Sequence, residues 1–127
     1  MNPVLLVDDD PVCNFIMSKT LMLLKPDIQI LKALNGQEAL DLLLNLEAKQ
    51  LPLPKRIFLD IDMPVMNGFG FLEEMKKQNL EKSCHVAIVS SSNNPVDIAK
   101  AHLLGADDFI EKPVAGEKVA KFLEEFI

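Results

Sequence analysis

Residues 56–68 read RIFLDIDMPVMNG, a short apolar run closed by Asp60, with a second carboxylate, Asp62, two positions on. Two apart in a strand means one face, so both carboxylates could point at one site. Met63-Pro64 and Asn67-Gly68 are turn signals, however, and they end the strand at Asp60 and leave Asp62 in the loop beyond it. Similar chemistry follows other apolar runs: Asp8-Asp9-Asp10 after VLLV (4–7), Ser90 after VAIV (86–89), and Lys112-Pro113 after DDFI (107–110). If these segments share one edge of a sheet, carboxylates, a hydroxyl and an ammonium converge. Clustered carboxylates raise one another's pKa unless a cation offsets the repulsion. Mg²⁺ does so with one or two carboxylates plus phosphate oxygens and water. Asp9 and Asp60 suit that role, with Asp8 a near neighbour. A cation beside a carboxylate, a hydroxyl and a lysine is an arrangement for phosphoryl transfer, the aspartate acting as nucleophile and forming an acyl phosphate.

Taken singly, each residue has a plainer use. Asp10 suits a helix cap, Ser90 and Ser91 ordinary loop hydroxyls, Lys112 a solvated surface, and Asp62 a turn facing water. Convergence is what weakens those readings, and convergence depends on the elements.

VLLV, IFL (57–59) and VAIV are almost wholly apolar, as strands of a parallel sheet covered on both faces must be. IQILKA (28–33) alternates in part and DDFI is half polar, which suits the two edges. Between them run helical patterns. Asp10-Pro11 offers a cap and a first-turn proline before an apolar series through Val12, Ile16, Thr20 and Leu24. QEALDLLLNL (37–46) follows Asn35-Gly36, and Phe71, Leu72 and Met75 give a face to the helix after Gly68. Asn94-Pro95 repeats the cap-then-proline signal, with Gly105 ending that helix. Val119, Phe122, Leu123 and Phe126 mark the last one. The order βαβαβαβαβα implies a three-layer, doubly wound α/β domain, with ligands at the carboxyl edge of its parallel sheet. The prolines of EAKQLPLPKR (47–56) make the one marked interruption.

The chain has 127 residues, 49% of them apolar, the size and content of one globular domain. Nineteen acidic against 13 basic residues, a net charge of -6, argue against a nucleic-acid partner. The acids concentrated in VDDD and ADDF suggest a cation site. Cys13 and Cys84 have no metal-ligand spacing and read as reduced, packed thiols. No run has the length of a membrane span, so a cytoplasmic protein with no membrane partner is expected.

VLLVDDDP, FLDIDMPVMNG, IVSSS and FIEKP, in that order and with these spacings, resemble the receiver domain of two-component response regulators, over Val4 to about Phe126. The likeness is to the stand-alone, chemotaxis-regulator type. It implies a (βα)5 fold of flavodoxin-like strand order 2-1-3-4-5. It implies one receiver domain over 1–127 without an output domain, and signalling by protein contact or phosphorelay. Asp60 would be the phosphoacceptor, receiving its phosphoryl group from a sensor histidine kinase or histidine phosphotransfer protein. Asp8, Asp9, Asp60 and the backbone carbonyl of Asp62 would hold Mg²⁺ (or Mn²⁺). Lys112 would pair with the phosphoryl oxygens, its bond to Pro113 being cis. Ser90 would be the switch hydroxyl, and Phe109 the aromatic whose inward swing presents a face to a downstream protein. Such a domain assists its own phosphorylation and dephosphorylation without being an enzyme in the ordinary sense.

Phe109 stands where many members carry tyrosine, so any signal needing the phenolic hydroxyl is lost. Asp62 and Ser92 occupy the variable positions that tune phosphoryl loss, and the segment at 47–56 is longer than in the smallest members. Two other readings compete. Haloacid dehalogenase-like phosphatases also carry a strand ending in Asp-x-Asp, here Asp60 as nucleophile and Asp62 as acid/base, although that motif normally opens the chain. A phosphate-independent binding module is the other.

Overall fold

The computed structural model describes residues 2–124. Phe126, expected on the last helix, lies outside them. Five strands, β1 (Val4–Val7), β2 (Ile30–Ala33), β3 (Arg56–Leu59), β4 (His85–Ser90) and β5 (Asp108–Glu111), alternate with α1 (Pro11–Leu24), α2 (Gly36–Ala48), α3 (Gly68–Lys77), α4 (Pro95–Leu103) and α5 (Gly116–Glu124). The sheet is parallel, in the order β2-β1-β3-β4-β5, the flavodoxin-like topology that the family resemblance implied. Helix starts follow the cap signals. Asp10, Asn35, Asn67 and Asn94 each accept a backbone N–H of the turn that follows. Gly105, at φ +104°, follows the α4 cap residue in the left-handed conformation that glycine reaches without strain.

Alternate strand residues enter two cores, which is why the inner strands read as unbroken apolar runs. Leu5, Val7, Ile57, Leu59, Val86 and Ile88 pack under α2, α3 and α4. Val4, Leu6, Phe58, Ala87, Val89 and Ile110 pack under α1 and α5, where Phe58 meets Phe122 edge to face at 5.3 Å. β2 and β5 are the edges and only partly buried. β2 is shorter than the apolar segment from Ile28 suggested.

The helix α1 departs from expectation. Val12, Ile16 and Leu24 of the anticipated series are exposed, and the buried stripe is Asn14, Met17, Ser18 and Leu21. Both series have helical spacing, so periodicity alone could not choose between them. Two polar members of the buried stripe are satisfied locally. Asn14 Nδ2 donates to Asp8 O and Ser18 Oγ to Asn14 O. ADDF also parts from expectation: Asp107 lies before β5, at the far end from the other acids. There its carboxylate accepts the Val86 N–H at 2.8 Å and lies 3.6 Å from His85 Nδ1. No helix among the described residues is long and apolar enough to cross a membrane.

Candidate functional site

Sheet register brings the polar residues together. Val7, Leu59, Ile88 and Phe109 are successive register partners across β1, β3, β4 and β5. Asp8 and Asp60 therefore leave adjacent strands at one level, and Ser90 and Lys112 follow one and two steps later. The ladder continues past the strands proper, with Asp60 N donating to Val7 O and Lys112 N to Ser90 O.

Asp8 and Asp60 are buried and Asp9 is exposed, and carboxylate oxygens of all three lie within 4.8 Å of one another. The Lys112 ammonium reaches this cluster, 3.0 Å from Asp8 Oδ2 and 3.8 Å from Asp60 Oδ1. Backbone donors complete it: Asp10 N gives to Asp8 Oδ1 at 3.0 Å and Ile61 N to Asp60 Oδ1 at 2.9 Å. Burial first, and the Asp8 charge second, push the Asp60 carboxyl up to about 6, against Lys112 and the Ile61 N–H, which pull it down. Burial alone would lower the Lys112 ammonium, but the Asp8 hydrogen bond and the Asp60 charge together hold it above its ordinary value. The donor set is all oxygen, the set a hard divalent cation prefers.

Asp62 does not stand beside Asp60. β3 ends at Leu59 and Asp62 is exposed in the loop. Gly68 closes that loop tightly, its N–H donating to Ile61 O while a Cβ there would lie 2.5 Å from Asp60 O. Asp10 caps α1: its oxygen takes the Val12 N–H, and that bond, with one from the Cys13 thiol, lowers its carboxyl. The Lys112–Pro113 bond is cis. Ser90 is fully buried, its Oγ accepting the Ser92 N–H. Phe109 is half-buried beside a hollow of about 480 Å³ along α4 that Pro95, Ile98 and His102 also line.

Cys13, read from the sequence as a packed thiol, is only half-buried and borders the site. Its thiol is 3.8 Å from Lys112 Nζ, and burial and Asp10 raise its pKa. It borders a mainly apolar cavity of about 440 Å³ that runs from Asp8, Asp60 and Lys112 down between α1 and Val114. Nothing in the sequence spacing ties position 13 to position 112. Cys84 is the packed thiol expected, burial pushing it up to about 12.

Residues 4–124 match the response regulator receiver domain. The chain belongs to that family. Among curated relatives, this receiver domain is 32% identical over 123 residues to the nitrate/nitrite response regulator protein NarL of Escherichia coli, covering 96% of this chain and 53% of NarL. It is 33% identical over 121 residues to Protein PilH of Pseudomonas aeruginosa, covering 95% of this chain and 93% of PilH. It thus spans about half the length of NarL and nearly all of PilH. The chemotaxis protein CheY4 of Vibrio cholerae superimposes over 100% of this chain and 99% of its own, with a TM-score of 0.81 and 27% identity. Phosphoryl acceptance is general to such domains, as is a divalent cation in their acidic pocket. They are signalling domains that partner with histidine kinases or phosphotransfer proteins.

Proposed function

We propose that this receiver domain accepts a phosphoryl group on Asp60 from the phosphohistidine of a sensor histidine kinase or a histidine phosphotransfer protein. The observation that carries this reading is the burial of one carboxylate, Asp60, against Asp8, Asp9 and the Lys112 ammonium. The Ile61 N–H steadies Asp60 Oδ1, and a carboxylate oxygen of Asp60 is the nucleophile. It bonds to phosphorus as the P–N bond to imidazole breaks, and the nitrogen keeps the electron pair. Lys112 swings from Asp8 toward the phosphoryl oxygens and neutralises part of the charge they gain. Asp8, Asp9, Asp60 and the carbonyl of Asp62 would hold Mg²⁺ or Mn²⁺. When bound, the ion offsets the carboxylate repulsion and stabilises charge on the transferred group.

Ser90 then turns its hydroxyl to the phosphoryl group and Phe109 moves inward, altering the face offered to a downstream protein. Water later attacks phosphorus and regenerates the Asp60 carboxylate. Asp62 and Ser92 stand by the path of that water and tune its rate. Intact-mass measurement after incubation with acetyl phosphate and Mg²⁺ tests the central point. One phosphoryl mass is expected on the wild type and none on Asp60→Asn, with EDTA suppressing the reaction. No added mass in the wild type would leave the phosphate-independent module as the better reading, and equal addition in the variant would remove Asp60 from its role.

A further inference from the structure

A chain of hydrogen bonds leads from Ser90 to the start of α4. The Ser92 N–H donates to Ser90 Oγ at 3.1 Å. The Ser92 hydroxyl oxygen accepts the Asn94 N–H at 3.2 Å and donates its own proton to Asp97 Oδ2 at 3.0 Å. Asn94 caps α4 and Asp97 lies in its first turn. A carboxylate at this helix position commonly folds back onto the N–H of the cap residue. Here the Ser92 oxygen has taken that N–H, and Asp97 reaches two residues further back, to the hydroxyl. A bond to a carboxylate is charge-assisted and sets the hydroxyl's direction. With the proton on the Asp97 side, the lone pairs are free for Asn94. Asp97 thereby pins Ser92, and the pinned Ser92 N–H holds the oxygen of a fully buried Ser90.

We propose that Asp97 is a positioning residue which, through Ser92, latches the Ser90 hydroxyl in its resting orientation and so restrains phosphoryl acceptance at Asp60. The latch rests on the reading of Asp60 as acceptor and Ser90 as the hydroxyl that turns toward its phosphoryl group. To approach a phosphoryl oxygen, Ser90 Oγ must leave the Ser92 N–H, so each bond that pins Ser92 favours the resting state. Whatever stabilises the resting state lowers the population of the rearranged state that phosphoryl acceptance favours. The release also has a direction. The far half of α4 is tied separately to α3, with Lys76 Nζ donating to Leu103 O at 3.2 Å and Lys100 Nζ lying 4.5 Å from the Phe69 ring centroid. Freeing Ser92 therefore loosens the first turn of α4 and leaves its end anchored.

The test measures initial rates of phosphoryl incorporation from acetyl phosphate in Mg²⁺, by intact mass, in the full chain and in Asp97→Ala, Asp97→Asn, Ser92→Ala and the Asp97→Ala/Ser92→Ala double variant. Loss of one such hydrogen bond corresponds to a rate increase of roughly three- to tenfold for Asp97→Ala. Asp97→Asn keeps an acceptor oxygen but loses the charge, so its rate falls between those of the wild type and Asp97→Ala. The double variant is no faster than the faster single one, because both break one chain. Thermal unfolding of each variant shows whether the fold persists. A role limited to placing negative charge at a helix start would lower stability in both Asp97 variants and leave rates unchanged. A wild type that takes phosphate at Asp60 while Asp97→Ala matches its rate overturns the latch alone. Asp97→Asn behaving as Asp97→Ala, or a double variant equal to the product of the singles, also overturns it. No incorporation at Asp60 in the wild type overturns the acceptor reading and the latch with it.

Discussion

Lys112 stands closer to Asp8 than to Asp60: its ammonium is 3.0 Å from Asp8 Oδ2 and 3.8 Å from Asp60 Oδ1. One cation thus faces two buried carboxylates and a third, exposed one nearby. The resting site carries excess negative charge; burial first, and the Asp8 charge second, hold the Asp60 carboxyl up at about 6.

Ionising the buried Asp60 carboxyl costs stability in the metal-free protein. A carboxyl whose proton is bound more tightly in the folded state favours the fold fully below its unfolded pKa, and the advantage is lost as pH rises through the folded one. For Asp60 the window runs from about 4 to about 6 and beyond. Asp60→Asn removes the titration, so urea unfolding in EDTA should find it more stable than the wild type at pH 7. A gain on the order of 2 kcal/mol is expected, shrinking toward pH 4.5. A variant less stable than the wild type at pH 7 would contradict this account.

A divalent cation should relieve the same repulsion. Millimolar Mg²⁺ is expected to raise the unfolding midpoint of the wild type by the equivalent of about 1–3 kcal/mol. Asp9→Asn, altering the exposed member of the cluster, should keep the fold and lose most of that gain. Differential scanning fluorimetry with and without EDTA reads both. Equal midpoints in the two buffers would remove the cation from the site.

Gly68 is predicted to be intolerant. A Cβ there would lie 2.5 Å from Asp60 O and 3.0 Å from Ile61 Cα, both backbone atoms that cannot swing aside. Gly68→Ala should cost roughly 1–3 kcal/mol and slow phosphoryl incorporation by displacing Asp60. Gly70→Ala meets the movable Met66 side chain first and should be neutral or mildly stabilising by comparison. Chemical denaturation of the pair decides.

The two stripes of α1 can be separated by mutation. Leu21 is fully buried and Ile16 is exposed. Leu21→Ala should destabilise by about 2–5 kcal/mol, whereas Ile16→Ser should change stability by no more than about 0.5 kcal/mol. The reverse order would restore the stripe of Val12, Ile16 and Leu24 to the core.

Local pattern carried most of the fold. Unbroken runs at VLLV and VAIV signal strands covered on both faces, and cap residues such as Asp10 and Asn94 act within one turn of the helices they start. The exception, α1, is apolar on more than one side, and a helix of that kind does not declare which side meets the sheet. ADDF misled for a related reason: acidic composition does not tell which end of a strand an acid occupies, and Asp107 precedes β5.

That carboxylates, a hydroxyl and a lysine follow the first, third, fourth and fifth strand segments is legible in the residue order alone. In a parallel sheet such residues must share one edge, because every strand's carboxyl end lies there. Who touches whom along that edge is set by folding. Lys112 and Asp8 are 104 residues apart, and their ion pair depends on strand register and on the path of the chain after Glu111. The same holds for the Cys13 thiol beside Lys112 and for the loop in which Asp62 falls away from Asp60. Residue type and order select the chemistry available to the site. Contact distances within it come from packing among distant segments, which no local spacing encodes.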